Sequence, residues 1–291
     1  MSFSGKLDLH MHSTVSDGSD TPAEILARVK EEGIELFALS DHDAVKGCLM
    51  VRDILAEGDP GFICSAEFSC KDSLGQYHIL GCGYDPDGAE IHSLVDYGHS
   101  LRMRKVTDRL DFLRTEFGFE FPEEEIAALL ALDNPGKPHI GNLMAKLGYA
   151  ESKDAAIRDY INKLHVKDLY LKPEEAIEGI LKAGGIPVLA HPFFGSGGQL
   201  VLGDEMDARL RRLMDFGLKG IEAYYSGFSP LLIGKALALA EKYSLYVTAG
   251  SDYHGTNKLV HLGDTNMLAD TPFPAGMTRF LEDVSYIKPV S

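Results

Sequence analysis

Leu36-Phe37-Ala38-Leu39-Ser40-Asp41-His42-Asp43 is a short apolar run that ends abruptly in two acids and an imidazole. A continuous apolar run of this length, without alternation, suits a strand buried on both faces. The same pattern recurs on either side. Lys6–His12 alternates as a strand with Leu7 and Leu9 on one face, and it carries His10 and His12 at its end. Ile186–Ala190 ends at His191, and Tyr246–Ala249 leads to Asp252 and His254. Phe62–Ser65 (followed by Glu67), Tyr77–Gly81 and Gly220–Ala223 are the other strand candidates. Between the first two strands, Thr21-Pro22-Ala23-Glu24 supplies an N-cap residue, a proline at the first helical position and an acid in the first turn. That helix runs to about Glu32 and stops at Gly33. Alternating strands and helices predict an α/β layer or barrel architecture. The polar residues gather just past the carboxyl ends of strands, the rim where such folds carry their active sites.

The middle of the chain reads differently. From about Ile91 to Leu181 the apolar spacing is helical; Leu110, Leu113 and Phe117 precede Gly118, and Glu123–Leu132 follows Pro122. This stretch is expected to be a helical insertion. The chain has 291 residues, 45% of them hydrophobic and 25% charged, enough for one large domain with such an insertion. Lys and Arg number 28 against 44 Asp and Glu, a formal charge of −16. That balance argues against steady binding to long duplex nucleic acid. The four cysteines (Cys48, Cys64, Cys70, Cys82) make no C-x-x-C pair and read as reduced thiols. No signal pattern and no apolar run near the ~20 residues of a membrane span is found. The expectation is a soluble cytoplasmic protein with no membrane partner.

Four local signals carry chemistry. His10 and His12, two apart on a strand, point to the same face, with Asp17 five residues on. Asp41-His42-Asp43 closes a strand. Glu67 is followed by His78, and His191 is joined by Ser251-Asp252-Tyr253-His254. Imidazole and carboxylate together suit Mn²⁺, Fe²⁺ or Zn²⁺ better than Mg²⁺ or Ca²⁺. These residues exceed one tetrahedral site and predict two or three divalent ions.

His10-Met11-His12-Ser13, Ser16-Asp17-Gly18, Ser40-Asp41-His42-Asp43, Ala190-His191-Pro192 and Gly250-Ser251-Asp252-Tyr253-His254-Gly255 resemble the motifs of the PHP (polymerase and histidinol phosphatase) metal-dependent phosphoesterases. The resemblance implies a distorted (β/α)7 barrel from 1–92 and 182–291, with 93–181 as a helical insertion covering the substrate. It implies a trinuclear centre. His10, His12, Glu67 and Asp252 would hold one ion. Glu67 would bridge to a second ion held by His78 and His191, and Asp17, His42 and His254 would hold the third.

Arg102-Met103-Arg104, Gly136-Lys137-Pro138-His139 and Gly184-Gly185-Ile186 onward to Pro192 are similar to elements of the branch with nucleoside 3′,5′-bisphosphate phosphatases and 5′-to-3′ exoribonucleases. Arg102, Lys137 and His139 are therefore candidates for a basic, substrate-binding wall. Lys137 stands where that branch usually has arginine, and a lysine offers a point charge instead of a bidentate fork. The branch's Gly-x-Pro-Ala-Tyr-Val element is replaced between Asn162 and Tyr170, and Phe193-Phe194 leads into the glycine-rich loop Gly195–Gly198. Both departures concern the substrate.

The expected chemistry is attack on phosphorus by a hydroxide bridging two metal ions, because coordination lowers the pKa of water from 15.7 toward roughly 7. No side-chain nucleophile is required. Asp43 is expected to orient His42 or cap the next helix, and Glu222 to support the barrel rim. His92, His99, His165 and His261 stay ordinary histidines. The expected substrate is a small phosphorylated molecule, foremost the 3′-phosphate of a nucleoside 3′,5′-bisphosphate. Short 5′-phosphorylated RNA, histidinol phosphate and a non-catalytic metal-binding role are the alternatives.

Overall fold

The computed structural model describes residues 5–164, 169–195, 199–268 and 271–288. His165 and the middle of the glycine-rich loop lie outside these residues. Seven strands form one sheet in chain order: β1 (Leu7–Asp8), β2 (Leu36–Leu39), β3 (Gly61–Lys71), β4 (Gln76–Cys82), β5 (Ile186–Leu189), β6 (Gly220–Tyr225) and β7 (Tyr246–Gly250). β1 to β3 run parallel, as do β5 to β7, and β4 is antiparallel to both its neighbours. The sheet curls until its ends meet. The Leu9 N–H donates to the Ala249 carbonyl at 2.9 Å, and Met11 bridges Tyr253. The result is a nearly closed α/β barrel, with Phe37, Phe62, Phe68, Leu39, Ile63 and Ile79 filling its core.

Two strands depart from the sequence expectation, each for a local reason. β1 stops at Asp8, although the chain was expected to stay in strand through His12. Beyond Asp8 it runs between the ends of β2 and β7: the Met11 carbonyl accepts from Ser40 N–H at 2.7 Å, and His12 N–H donates to Tyr253 at 2.9 Å. β3 extends well past Ser65, so Glu67 lies inside a strand and not after one. The extension pairs with β4 as a hairpin, from Ser65 opposite Cys82 to Lys71 opposite Gln76. The Asp72 carboxylate closes the turn by accepting the backbone N–H groups of Leu74 and Gly75.

Helices α1 (Pro22–Glu31) and α2 (Lys46–Ile54) flank the first strands, and Thr21 caps α1 in a reciprocal pair with Glu24. The polypeptide then leaves the barrel on α3 (Ala89–Phe117), which ends at Gly118 in the left-handed conformation. Ile91, Leu94 and Leu101 belong to the barrel core, whereas Val106, Leu110 and Leu113 enter a second core. That second core also takes residues from α4 (Glu123–Leu130), α5 (Lys137–Lys146) and α6 (Lys153–Asp159). The chain returns on α7 (Pro173–Lys182), packed against α3 so closely that a Cβ on Gly179 would stand 2.8 Å from a Leu94 methyl. Helices α8 (Gly203–Asp215), α9 (Pro230–Tyr243) and α10 (Ala275–Asp283) complete the barrel. Among the described residues no helix is long and apolar enough to cross a membrane.

Candidate metal centre

The strand ends bring nine side chains to one rim. Past β1 the backbone keeps the alternating orientation of a strand, so Met11 is buried in the core while His10 and His12 share the opposite face. Their Nε2 atoms lie 3.1 Å apart. Glu67, fully buried in β3, stands at the centre. Its Oε1 is 2.8 Å from His78 Nδ1, 3.2 Å from His191 Nε2 and 3.4 Å from His10 Nε2. Its Oε2 is 3.1 Å from His42 Nδ1 and 3.3 Å from His12 Nε2. Asp252 directs Oδ1 to within 3.4 Å of His12 Nε2 and 3.7 Å of His10 Nε2. Asp17 Oδ1 is 3.2 Å from His254 Nε2 and 3.9 Å from both His12 and His42.

Three groups emerge in which the potential ligand atoms lie within 4.8 Å of one another: His12, Asp17, His42 and His254; His10, His12 and Glu67; and Glu67, His78 and His191. Metal ions fit this donor set. Among the described residues Asp17 Oδ1, His42 Nδ1 and His78 Nδ1 are buried without a hydrogen-bond partner, although each has an opposite group nearby. Buried polar atoms left in this way need a reason, and convergence on an ion supplies one. Burial opposes charge throughout, yet the imidazoles of His78, His10 and His42 hold the Glu67 carboxyl well below the usual range. The carboxylates of Glu222, Glu67 and Asp252 likewise raise His10 against its burial. Ionised carboxylates among imidazoles are the ligand chemistry of Mn²⁺, Fe²⁺ and Zn²⁺.

A layer of carboxylates fixes this cluster from behind. Glu222 faces His10 Nδ1 at 2.9 Å and accepts the His191 backbone N–H at 2.7 Å, so it supports the rim. Asp41 takes the Ser13 N–H and both the Ser13 and Ser16 hydroxyls, each at 2.7 Å, and so sets the loop that carries Asp17. Asp8 does the same for β7 by accepting the Ser251 N–H and hydroxyl. Asp43 neither caps α2, whose N-cap residue is Val45, nor bonds to His42; its Oδ2 accepts Arg102 Nε and Nη2 at 3.0 and 2.6 Å.

Two residues were not singled out in the sequence. Tyr225 and Lys258 both donate to Asp252 Oδ2, at 3.0 and 2.6 Å. In a regular strand, Glu222 and Tyr225, three apart, would face opposite sides. The β6–β7 register shifts between Glu222 and Tyr224, and this bulge turns both toward the site. Tyr225 and Lys258 line a cavity of about 290 Å³ together with His42, Glu67, His78 and His191.

A second cavity, of about 220 Å³, adjoins it at His42 and His78. Arg102, Lys105 and Arg109 from α3 and Lys137 from the start of α5 line it. Lys105 is buried 4.0 Å from the Tyr170 ring centroid, and burial next to Arg102 and Arg109 lowers its pKa to about 7. Burial, with Arg109, lowers Lys137 to about 8; its ammonium donates to Asn162 at 2.6 Å. Among the described residues the buried Arg109 Nε has no hydrogen-bond partner. His139 lines a different cleft, beside Glu125 and Asn142, and its Nδ1 accepts the Gly136 N–H at 3.0 Å. Lys105 and Arg109 also escaped the sequence reading. Their signal was the 102, 105, 109 spacing of one helix face.

The model of the PHP domain matches residues 8–171. The phosphoribosyl 1,2-cyclic phosphate 1,2-diphosphodiesterase of Eggerthella lenta is 32% identical over 269 residues, 88% of this chain and 97% of that protein. The 3′,5′-nucleoside bisphosphate phosphatase of Chromobacterium violaceum is 28% identical over 261 residues, 85% and 87% of the two chains. The solved structure of an amidohydrolase from Chromobacterium violaceum shares the fold, with a TM-score of 0.82 at 24% identity and 98% of each chain covered.

Proposed function

The chain belongs to the PHP domain family, and on that premise we propose that this metal-dependent phosphoesterase removes the 3′-phosphate of a nucleoside 3′,5′-bisphosphate. One observation carries the choice of substrate: the basic cavity of Arg102, Lys105, Arg109 and Lys137 opens onto the imidazole–carboxylate cluster at His42 and His78. A substrate with one phosphate at the cluster and another in that cavity uses both. Of these four cations only Arg102 is ion-paired among the described residues, with Asp43, and such a group is suited to a dianion.

In this reading His10, His12, Glu67 and Asp252 would hold one ion, and Glu67, His78 and His191 a second. Asp17, His42 and His254 would hold the third, and His12 Nδ1 lies 3.9 Å from Asp17 Oδ1. When bound, the ions supply Lewis acidity toward the phosphoryl oxygens and an activated water. The side chains do the rest. Glu67 spans the groups, Glu222 and the Asp8 and Asp41 staples fix ligand directions, and Arg102, anchored by Asp43, presents its remaining donors to the substrate. The insertion, 93–181, covers the substrate and contributes the basic cavity from α3 and α5. The four cysteines are buried free thiols, which suits a reducing cytoplasm.

A second reading has specific support: the Eggerthella lenta relative is named for a phosphoribosyl cyclic phosphate, also a sugar carrying two phosphate groups. The test is hydrolysis by the manganese-loaded protein, followed by phosphorus NMR, of adenosine 3′,5′-bisphosphate, phosphoribosyl 1,2-cyclic phosphate, histidinol phosphate and a short 5′-phosphorylated RNA. Preference for the bisphosphate is expected. Preference for the cyclic ester establishes the second reading, and turnover of none of them sinks both.

A further inference from the structure

Lys258 belongs to none of the three ligand groups, yet it lines the cavity in front of them. Its ammonium lies 2.6 Å from Asp252 Oδ2, while the other oxygen of that carboxylate faces His10 and His12. The cation is therefore one carboxylate's width from the cluster. Asp252 does not need it for orientation, since the Tyr225 hydroxyl already donates to the same oxygen. An ammonium has three donors, and one N–H suffices for the bond to Asp252.

Charge makes the placement informative. Asp17, Glu67 and Asp252 face the cluster, and Glu222 lies behind His10. The three ions of the proposed centre would carry six positive charges, which these four carboxylates together with Asp8 and Asp41 behind them would balance. A cation added beside them then has no protein anion left to neutralise it. That arrangement is unfavourable unless an anionic ligand completes it. The basic cavity meets this one at His42 and His78, and Lys258 does not line it, so Lys258 does not duplicate its cations.

We propose that Lys258 is a catalytic residue of this site, its ammonium contacting a non-bridging oxygen of the phosphoryl group under attack. The proposal rests on the reading of the site as a phosphoester hydrolase. Lys258 transfers no proton in this role. In the hydrolysis one P–O ester bond breaks, a bond from the water oxygen to phosphorus forms, one proton of that water goes to the leaving oxygen and the other stays with the inorganic phosphate. The ammonium offsets charge on the phosphoryl oxygens, and inorganic phosphate, the product, would be held by the same contact.

The experiment titrates inorganic phosphate into manganese-loaded wild type, Lys258→Met and Lys258→Arg by calorimetry, with bound metal and kcat measured on the same samples. Expected is a loss of phosphate affinity of roughly ten- to hundredfold in Lys258→Met with metal content unchanged, a fall in kcat, and partial recovery in Lys258→Arg. Unchanged phosphate affinity in Lys258→Met overturns the proposal. So does loss of metal alongside phosphate, because Lys258 would then only hold Asp252. A wild type that hydrolyses no phosphoester overturns the hydrolase reading itself, whereas active wild type and an equally active Lys258→Met overturn this inference alone.

Discussion

His10 uses both ring nitrogens: Nδ1 lies 2.9 Å from a Glu222 oxygen and Nε2 faces Glu67, His12 and Asp252. An Nδ1–H bonded to a carboxylate fixes the tautomer and leaves Nε2 with its lone pair for an ion. Because Glu222 also accepts the His191 N–H at 2.7 Å, one side chain orients ligands of two groups. Glu222→Ala is therefore expected to lower manganese affinity by about 10- to 100-fold in a metal titration, with Glu222→Gln between it and wild type. Retention of wild-type affinity in Glu222→Ala would remove Glu222 from this role. The residues His10, His12 and Asp252 announced themselves as imidazoles and acids at strand ends. Tyr225 and Lys258 did not. Their part depends on a bulge in β6 and on a loop folding back over Asp252, neither of which has a local signature in the chain.

At the scale of elements, α3 shows what periodicity can and cannot reveal. Its apolar spacing marks a helix, but the apolar stripe changes partner midway, from barrel core at Leu101 to second core at Val106. The pattern therefore gives the helix without the place where it parts from the barrel. The same geometry separates neighbouring cations. Arg102, Lys105 and Arg109 fall on the face lining the basic cavity, whereas Arg104 is exposed to solvent. Arg109→Ala should raise KM for a nucleoside 3′,5′-bisphosphate about tenfold or more and leave KM for the 3′-monophosphate alone. Arg104→Ala should change neither by more than about twofold, as an exposed charge does. Steady-state kinetics on the two substrates decides it, and equal effects of both variants would show that the face does not read a phosphate. The β3–β4 hairpin was legible only in part. Its two apolar strands were evident, but Phe68 to Lys71 owe their strand conformation to pairing with β4, a tertiary influence on a weak local preference.

Across the whole molecule, a chain of formal charge −16 gathers four cations around one small cavity. Keeping them together lowers the pKa of Lys105 to about 7 and of Lys137 to about 8, through burial and the adjoining arginines. Both are charged below those values and lose their protons as pH rises through them. The bound phosphate is a dianion above about pH 6, so over this range its own charge changes little. Binding of that dianion favours the protonated lysines, which moves their titration upward in the complex relative to the unliganded protein. KM for the bisphosphate should therefore climb between about pH 7 and about pH 9, while KM for the 3′-monophosphate, which leaves the cavity unused, should climb less. The ratio of the two cancels ionisations at the metal cluster that act on both substrates. Lys105→Arg should flatten that ratio, because a guanidinium stays charged throughout the range. A ratio independent of pH in the wild type would mean that the second phosphate does not meet these lysines, and the basic cavity would lose its claim on the substrate.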